Sequence, residues 1–213
     1  MDAAKSAIVP LNDPESERPT HRFNDAKCDS QGRIWAGTMR LDASASDGCL
    51  FRFDGLDAAV EVDRGFLVSN GLGWSPDNRT MFFVDTGTGT IFAYDFDAPS
   101  GSLANRRVFV AIPPENGRPD GLTVDAEGCL WVALWDGWKV ARYTPGGKLD
   151  REIIMPIPRP TSCCFGGDGL RTLYITSARI RLSRETLREA PLSGGLFALE
   201  LDTPGIPTNL ARV

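Results

Sequence analysis

Polar residues whose side chains could bind a cation recur at the start of four similar segments. These pairs open the four segments: Asn24-Asp25, Asn70-Gly71, Asp120-Gly121 and Thr161-Ser162. Amide, carboxylate and hydroxyl oxygens are the ligands that hard divalent cations prefer. Because Asn, Asp and Gly also favour turns, turn formation is the alternative interpretation of the pattern.

Short β-rich runs follow each polar pair and would have to position it. These runs are RIWAGTM, TMFFVD, CLWVAL and LYITSA, and turn residues separate them. A four-stranded antiparallel unit repeated every ~40–50 residues is typical of a propeller blade. The sequence therefore predicts an all-β fold, a β-propeller with about four blades. The predicted blades span approximately 22–63, 65–112, 118–157 and 159–213, and 1–21 would be the remnant of a preceding blade.

The innermost strand of a blade lines the central channel, so the four polar pairs should converge there. Trp35, Phe83 and Trp131 occupy matching positions in the repeats and are expected to pack between blades. One short helix is expected over 183–190. Trp74, Trp135 and Trp138 lie near the polar pairs, where they could line a ligand pocket.

Composition excludes several classes of function. The chain has 23 Lys and Arg against 28 Asp and Glu, a net charge of −5 without a basic cluster, which argues against nucleic acid as a partner. No apolar run reaches the ~18 residues of a membrane span, and no signal-peptide pattern begins the sequence, so a cytoplasmic protein is expected. Five cysteines without a CxxC pair indicate thiols that pack as small apolar side chains in the interior. The one histidine excludes multi-histidine metal sites.

Four long motifs carry a resemblance to a known family. They are RFNDAKCDSQGRIWAGTM (22–39), SNGLGWSPDNRTMFFVDT (69–86), RPDGLTVDAEGCLWVALWDGWKVARY (118–143) and PTSCCFGGDGLRTLYITSAR (160–179). In order and spacing they resemble the senescence-marker protein/gluconolactonase/luciferin-regenerating enzyme-like family. The resemblance runs from about residue 18 to the C-terminus.

The resemblance implies a six-bladed propeller that hydrolyses sugar lactones with one divalent metal ion at the channel mouth. Asn70 and Asp120 match the family's metal-binding positions, and Arg22 and Asn24 match its substrate-binding positions. Asp120 would also orient or deprotonate the attacking water, since it is the only carboxylate among these four. Asp25 is expected to brace the loop. The metal is expected to be calcium, zinc, manganese, magnesium or iron.

The first part of the family pattern has no counterpart in this sequence. Family members carry about two further blades before the Arg22 motif, including a segment that supplies a metal-binding glutamate. Glu15 and Glu17 lie in a stretch that does not resemble that segment, although KSAIVPL (5–11) resembles the last strand of a preceding blade. The last repeat is expected to lack a fourth strand. We therefore expect the chain alone to bind metal weakly and to turn over slowly or not at all, with Asp85 and Asp136 as conceivable replacement ligands.

Two hypotheses for function follow. The first is a metal-dependent lactonase acting on a sugar lactone such as gluconolactone or xylonolactone. The second is a catalytically weak or inactive propeller that acts as a binding or scaffold module. No membrane partner is expected, whereas self-association through exposed blade edges is, because unpaired strand edges promote association.

Overall fold

Four antiparallel sheets follow one another along the chain in the computed structural model, which describes residues 12–55 and 59–212. The first sheet contains β1 (His21–Cys28), β2 (Ile34–Arg40), β3 (Gly48–Phe53) and β4 (Ala59–Phe66). The second contains β5 (Ser69–Trp74), β6 (Thr80–Asp85), β7 (Thr90–Asp97) and β8 (Ser102–Ala111). The third contains β9 (Arg118–Val124), β10 (Leu130–Trp135), β11 (Lys139–Tyr143) and β12 (Leu149–Ile154). The fourth contains β13 (Pro160–Gly166), β14 (Thr172–Ser177) and β15 (Leu196–Glu200).

Each sheet is a meander whose first strand is the innermost. β1 contacts β5, β5 contacts β9, and β9 contacts β13, so the first strands of successive sheets lie side by side. Burial falls outwards in the second sheet, from a fully buried β5 to a largely exposed β8. The predicted all-β propeller of four blades is therefore confirmed.

Large side chains fill the spaces between blades. Trp35 and Phe83 are fully buried in a cluster that joins the first two blades, and Trp131 is buried against the fourth blade. Their predicted role in blade packing is confirmed. The β-rich runs form these strands because their apolar residues can be buried on both faces of a blade.

A buried aspartate anchors the turn between the first two strands in the first and third blades. Asp29 accepts a hydrogen bond from Nε1 of Trp35, and Asp125 accepts one from Nε1 of Trp131, each at 2.9 Å. The aspartate also accepts backbone N–H groups of its own turn in both blades. Each turn is thus tied to the interior of its blade.

The fourth blade has three strands among the described residues. The helix expected over 183–190 is confirmed as α1 (Arg184–Glu189), and the hydroxyl of Ser183 accepts the N–H of Thr186 at its start. Short 3₁₀ turns span Pro114–Asn116 and Asp168–Leu170. The strand predicted for 5–11 lies outside the described residues. Within the described part of the chain, no helix is long and apolar enough to cross a membrane.

Candidate functional site

A β-bulge interrupts each innermost strand at the position that the sequence repeat singles out. The extra residue is Asn24 in β1, Gly71 in β5 and Thr161 in β13, and in β9 the irregularity falls at Asp120-Gly121. A bulge bends its strand and redirects side chains, and bulges are common next to active sites. The four blades therefore place their polar pairs in equivalent positions around one axis.

The glycines of these pairs permit close approach between neighbouring blades. A Cβ atom on Gly71 would lie 2.6 Å from the backbone oxygen of Asp120, and one on Gly121 would lie 2.2 Å from Oγ of Ser162. A side chain at either position would push adjacent inner strands apart. Packing between blades, rather than turn formation, explains these two glycines.

One cavity of about 500 Å³ collects the residues that the sequence singled out. Arg22, Asn24, Asn70, Asp120 and Thr161 all line it, so the structure brings every predicted site residue together. The cavity lies at the N-terminal ends of β5, β9 and β13, beside the first half of β1. Oxygen and nitrogen atoms from four blades are thereby available to a single small ligand.

Arg22 and Asn24 form a connected pair on β1. Nη1 of Arg22 donates to Oδ1 of Asn24 at 2.7 Å and to the backbone oxygen of Phe23 at 2.9 Å. Nδ2 of Asn24 donates to the backbone oxygen of Ser69 at 2.7 Å, which ties the first blade to the second. Both ends of the Asn24 amide are therefore engaged, while Arg22 is exposed and has further N–H groups to offer.

Asn70 is held by a residue that the sequence did not reveal. Nδ2 of Asn70 donates to Oγ1 of Thr86 at 3.1 Å, and Thr86 donates to the backbone oxygen of Pro119 at 2.6 Å. The amide of Asn70 also hydrogen-bonds the carboxylate of Asp120. Thr86 therefore links the second blade to the residue just before Asp120.

Two carboxyl groups share this cavity. Burial, with a contribution from the nearby charge of Asp25, raises the pKa of Asp120 to about 7, although hydrogen bonds from Asn70 and the backbone of Gly121 oppose the shift. Burial also raises the pKa of Asp25. Asp25 lines the cavity and also accepts the backbone N–H of Ala26, and its role in bracing the loop stays a prediction. Neither carboxyl forms an ion pair with a described arginine or lysine within 4 Å.

Two further arginines line the cavity, and sequence reasoning missed both. Arg118 precedes Asp120 on β9, and Arg181 comes from the segment between β14 and α1. Arg118 stands inside the third motif and could have been found there, whereas no pattern in the sequence identifies Arg181. Trp135 lines the same cavity, but Trp74 and Trp138 do not.

The two conceivable replacement ligands lie outside this cavity. The buried carboxylate of Asp85 accepts the backbone N–H groups of Leu67, Val68 and Gly87, which fixes the loops at the end of β6. Asp136 pairs with Arg159, whose Nε lies 2.5 Å from Oδ1. Both carboxylates are therefore used in structural contacts.

A second group of possible metal ligands is already paired with an arginine of the protein. Asp125, Glu127 and Cys129 present ligand atoms within 4.8 Å of one another. The guanidinium of Arg142 contacts Asp125 at 2.7 Å and Glu127 at 2.6 Å, however. A metal ion there would face the positive charge of Arg142, so this cluster does not suit a cation.

Comparison with known proteins agrees with the geometry of the propeller. A family model described as "SMP-30/Gluconolactonase/LRE-like region" matches residues 1–179. The chain belongs to this family. The resemblance inferred from the four motifs is therefore confirmed.

Individual members of the SMP-30/gluconolactonase/LRE-like family are similar to most of this chain. A 6-deoxy-6-sulfogluconolactonase of Pseudomonas putida is 40% identical over 201 residues, which are 92% of this chain and 68% of that protein. Regucalcin of Danio rerio is 39% identical over 211 residues, 97% of this chain and 71% of that protein. The crystal structure of a calcium-binding regucalcin of Agrobacterium tumefaciens matches with a TM-score of 0.88 and 29% identity, over 93% of this chain and 68% of that one.

Proposed function

We propose that this chain hydrolyses sugar lactones in the cavity between β1, β5, β9 and β13. The observation that carries the proposal is the meeting of Arg22, Asn24, Asn70 and Asp120 around a single cavity of about 500 Å³. Its relative named a 6-deoxy-6-sulfogluconolactonase supports a lactone as the substrate class. A cavity of this size is within the usual range for small-molecule sites.

Three residues of the cavity have different roles in the proposed reaction. Asp120 orients the water that attacks the lactone carbonyl and accepts its proton, since it is the carboxylate among the four predicted site residues. The bond between the carbonyl carbon and the ring oxygen then breaks, and the ring oxygen takes the proton back from Asp120, which gives a hydroxy acid and restores the carboxylate. Arg22 binds the hydroxyl or carboxylate oxygens through paired N–H donors, and Asn24 fixes the position of Arg22.

The donor set of the cavity fits a hard divalent cation. Asn70 and Asp120 contribute oxygens, and the carboxyls of Asp120 and Asp25 have no ion-pair partner among the described residues. A bound divalent cation would supply Lewis-acid polarisation of the lactone carbonyl. Because only one of the two proposed ligands carries a charge, we propose that the chain on its own binds the ion weakly.

Calorimetric titration with calcium and with zinc tests the metal proposal. Dissociation constants well above micromolar are expected, and sub-micromolar affinity would contradict weak binding and indicate a further ligand. Hydrolysis of glucono-1,5-lactone and xylonolactone, followed by proton release with each metal ion and with chelator, tests the activity. Metal-dependent release above the spontaneous rate is expected.

The alternative is a binding module that works through an exposed edge. β15 is an edge strand among the described residues, and Leu196 on it is 68% exposed. Self-association through this edge stays a prediction, which sedimentation of the purified chain would test. A folded chain that lacks lactonase activity with every metal ion but forms dimers would favour this alternative.

A further inference from the structure

Arginine recurs at one position of the sequence repeat, near the start of the inner strands. Arg22, Arg118 and Arg159 each stand two residues before the polar pair at which an inner strand is irregular. The second blade has Val68 at this position. Side chains two residues apart on a strand lie on the same face, separated by roughly 7 Å of strand. Three blades therefore carry a cation at the same level, one step away from the polar pairs.

The arginine of the fourth blade is already bound by the protein. Arg159 pairs with Asp136, its guanidinium lies 4.7 Å from the ring centroid of Trp135, and its Nη1 donates to the backbone oxygen of Ile180. The next residue, Arg181, has a left-handed backbone with a φ of 56°. A residue other than glycine rarely adopts this conformation unless its surroundings hold it there. Arg159 thus fixes the turn that brings Arg181, rather than itself, to the cavity.

Three arginines of the cavity have no carboxylate partner. Arg22, Arg118 and Arg181 line it, and none of them has a nitrogen within 4 Å of an Asp or Glu oxygen among the described residues. Most of the other arginines do form such an ion pair. All three are exposed. Their N–H groups are therefore available to a ligand of the cavity.

The charges of the cavity are separated along the inner strands. Asp25 and Asp120 lie at the irregular positions, whereas Arg22 and Arg118 lie two residues earlier on the same strands. Three arginines against two carboxyl groups leave an excess of positive charge. A six-carbon sugar lactone is long enough to span the roughly 7 Å between the two levels. With its carbonyl at Asp120, its other end would lie among the arginines.

We propose that Arg118 and Arg181, together with Arg22, select sugar lactones that carry an anionic group at the end remote from the lactone carbonyl. This selection rests on the proposed lactonase function, because Asp120 sets the position of the carbonyl. The anionic group accepts paired N–H groups, the arrangement in which a guanidinium binds carboxylate or phosphate oxygens. A neutral sugar lactone leaves the charges of the arginines uncompensated and gains less from the same cavity.

Two lactones that differ in one group test the selection. Glucaro-1,4-lactone and glucono-1,4-lactone have the same ring, but the first carries a carboxylate at C6 where the second carries a hydroxyl group. For the full chain, kcat/KM should be about tenfold higher for the glucarolactone, because several exposed ion pairs add up. Equal or lower kcat/KM for the glucarolactone would overturn the selection and leave the lactonase function in place.

Variants assign the preference to the two arginines. Arg118→Gln and Arg181→Gln should each lower the ratio of the two kcat/KM values about threefold, and the double variant should bring it close to one. Arg79→Gln removes the same charge from an exposed turn of the second blade and should keep the ratio of the unmodified chain. A double variant that folds, as judged by circular dichroism, and keeps the full preference would overturn the assignment.

Binding of the ring-opened acids separates this proposal from the lactonase proposal. Calorimetric titration of the full chain with glucarate, 6-phosphogluconate and gluconate needs no turnover. Glucarate and 6-phosphogluconate should bind more tightly than gluconate, and the tighter of the two identifies the preferred group as carboxylate or phosphate. If neither lactone is hydrolysed but this order holds and disappears in the double variant, the anion site stands and the lactonase proposal fails. Equal affinities for the three acids would overturn the anion site.

Discussion

Nη1 of Arg22 lies 2.7 Å from Oδ1 of Asn24, and the amide nitrogen of Asn24 lies 2.7 Å from the backbone oxygen of Ser69. With both ends of its amide occupied, Asn24 has little left to offer a substrate. It holds the guanidinium of Arg22 against the second blade. Asn24 is thus a positioning residue in the proposed mechanism, and Arg22 is the residue that contacts the substrate.

Replacing Asn24 should therefore act on substrate binding. Asn24→Ala is expected to raise KM about tenfold with a smaller change in kcat, because one charge-assisted hydrogen bond that orders Arg22 is lost. Arg22→Lys should have a similar effect, since lysine cannot make paired hydrogen bonds. Steady-state kinetics on a sugar lactone measures both constants. Asn116→Ala, outside the cavity, is the matched control. A drop in kcat at unchanged KM would contradict the assignment.

Thr86 should influence metal affinity without touching the metal. Thr86→Val keeps the shape of the side chain but removes the hydroxyl between the Asn70 amide and the backbone oxygen of Pro119. The proposed ligand Asn70 then loses one constraint, and calcium affinity should fall about fivefold, the equivalent of about 1 kcal/mol. Titration calorimetry measures the change. Thr90→Val, on β7, should leave the affinity as it is, and equal affinities for all three proteins would refute the role of Thr86.

The aspartate inside the third blade should dominate its stability. Asp125→Ala leaves Arg142 buried with one partner fewer and removes the acceptor of Trp131. The expected cost is about 3–5 kcal/mol in the free energy of unfolding. Urea unfolding monitored by circular dichroism measures it. Asp77→Ala, at an exposed turn of the second blade, should cost less than about 1 kcal/mol. Similar losses for both variants would rule out the anchoring role.

Neighbouring cysteines on β13 should differ in reactivity. Cys163 is buried, its thiol donates to the backbone oxygen of Trp131, and burial raises its pKa to about 12. At pH 8 it is therefore almost entirely protonated and unreactive, since the thiolate is the nucleophile. Cys164 is exposed. Iodoacetamide labelling of the folded protein, read by mass spectrometry, should modify Cys164 first. Equal labelling in the folded protein, with full labelling of both in urea, would show that Cys163 is not buried.

The features that could be predicted from the sequence are those that recur in each of the four repeats. Asn24, Asn70, Asp120 and Thr161 stand at equivalent points of four repeats, so their meeting around one axis followed from blade geometry. The bulges at these points did not follow, because strand register depends on pairing rather than on residue type. The sequence alone also allowed the glycines beside Asn70 and Asp120 to be turn residues, because it does not contain the distances between blades.

Features without a repeat could not be predicted. Thr86 acts through the backbone oxygen of a residue 33 positions away, and nothing in its own neighbourhood indicates this. The segment after β15 has no strand pattern, yet its Asn209 donates to the backbone oxygen of Cys28 at the end of β1, 181 positions away in the chain. Contacts between residues so far apart in the chain form only in the complete fold, and a single sequence carries no local signal for them.

The most direct test of the proposed function compares two aspartates in lactone hydrolysis. The full chain, Asp120→Asn and Asp136→Asn are assayed on glucono-1,5-lactone with saturating calcium, zinc, manganese or magnesium, and proton release is recorded above the spontaneous rate. Asp120→Asn should lose activity by roughly 10²–10⁴-fold, because the proposed general base is removed, and Asp136→Asn should keep the activity of the unmodified chain. Undiminished hydrolysis by Asp120→Asn, or no metal-stimulated hydrolysis by the unmodified folded chain, would contradict the proposal.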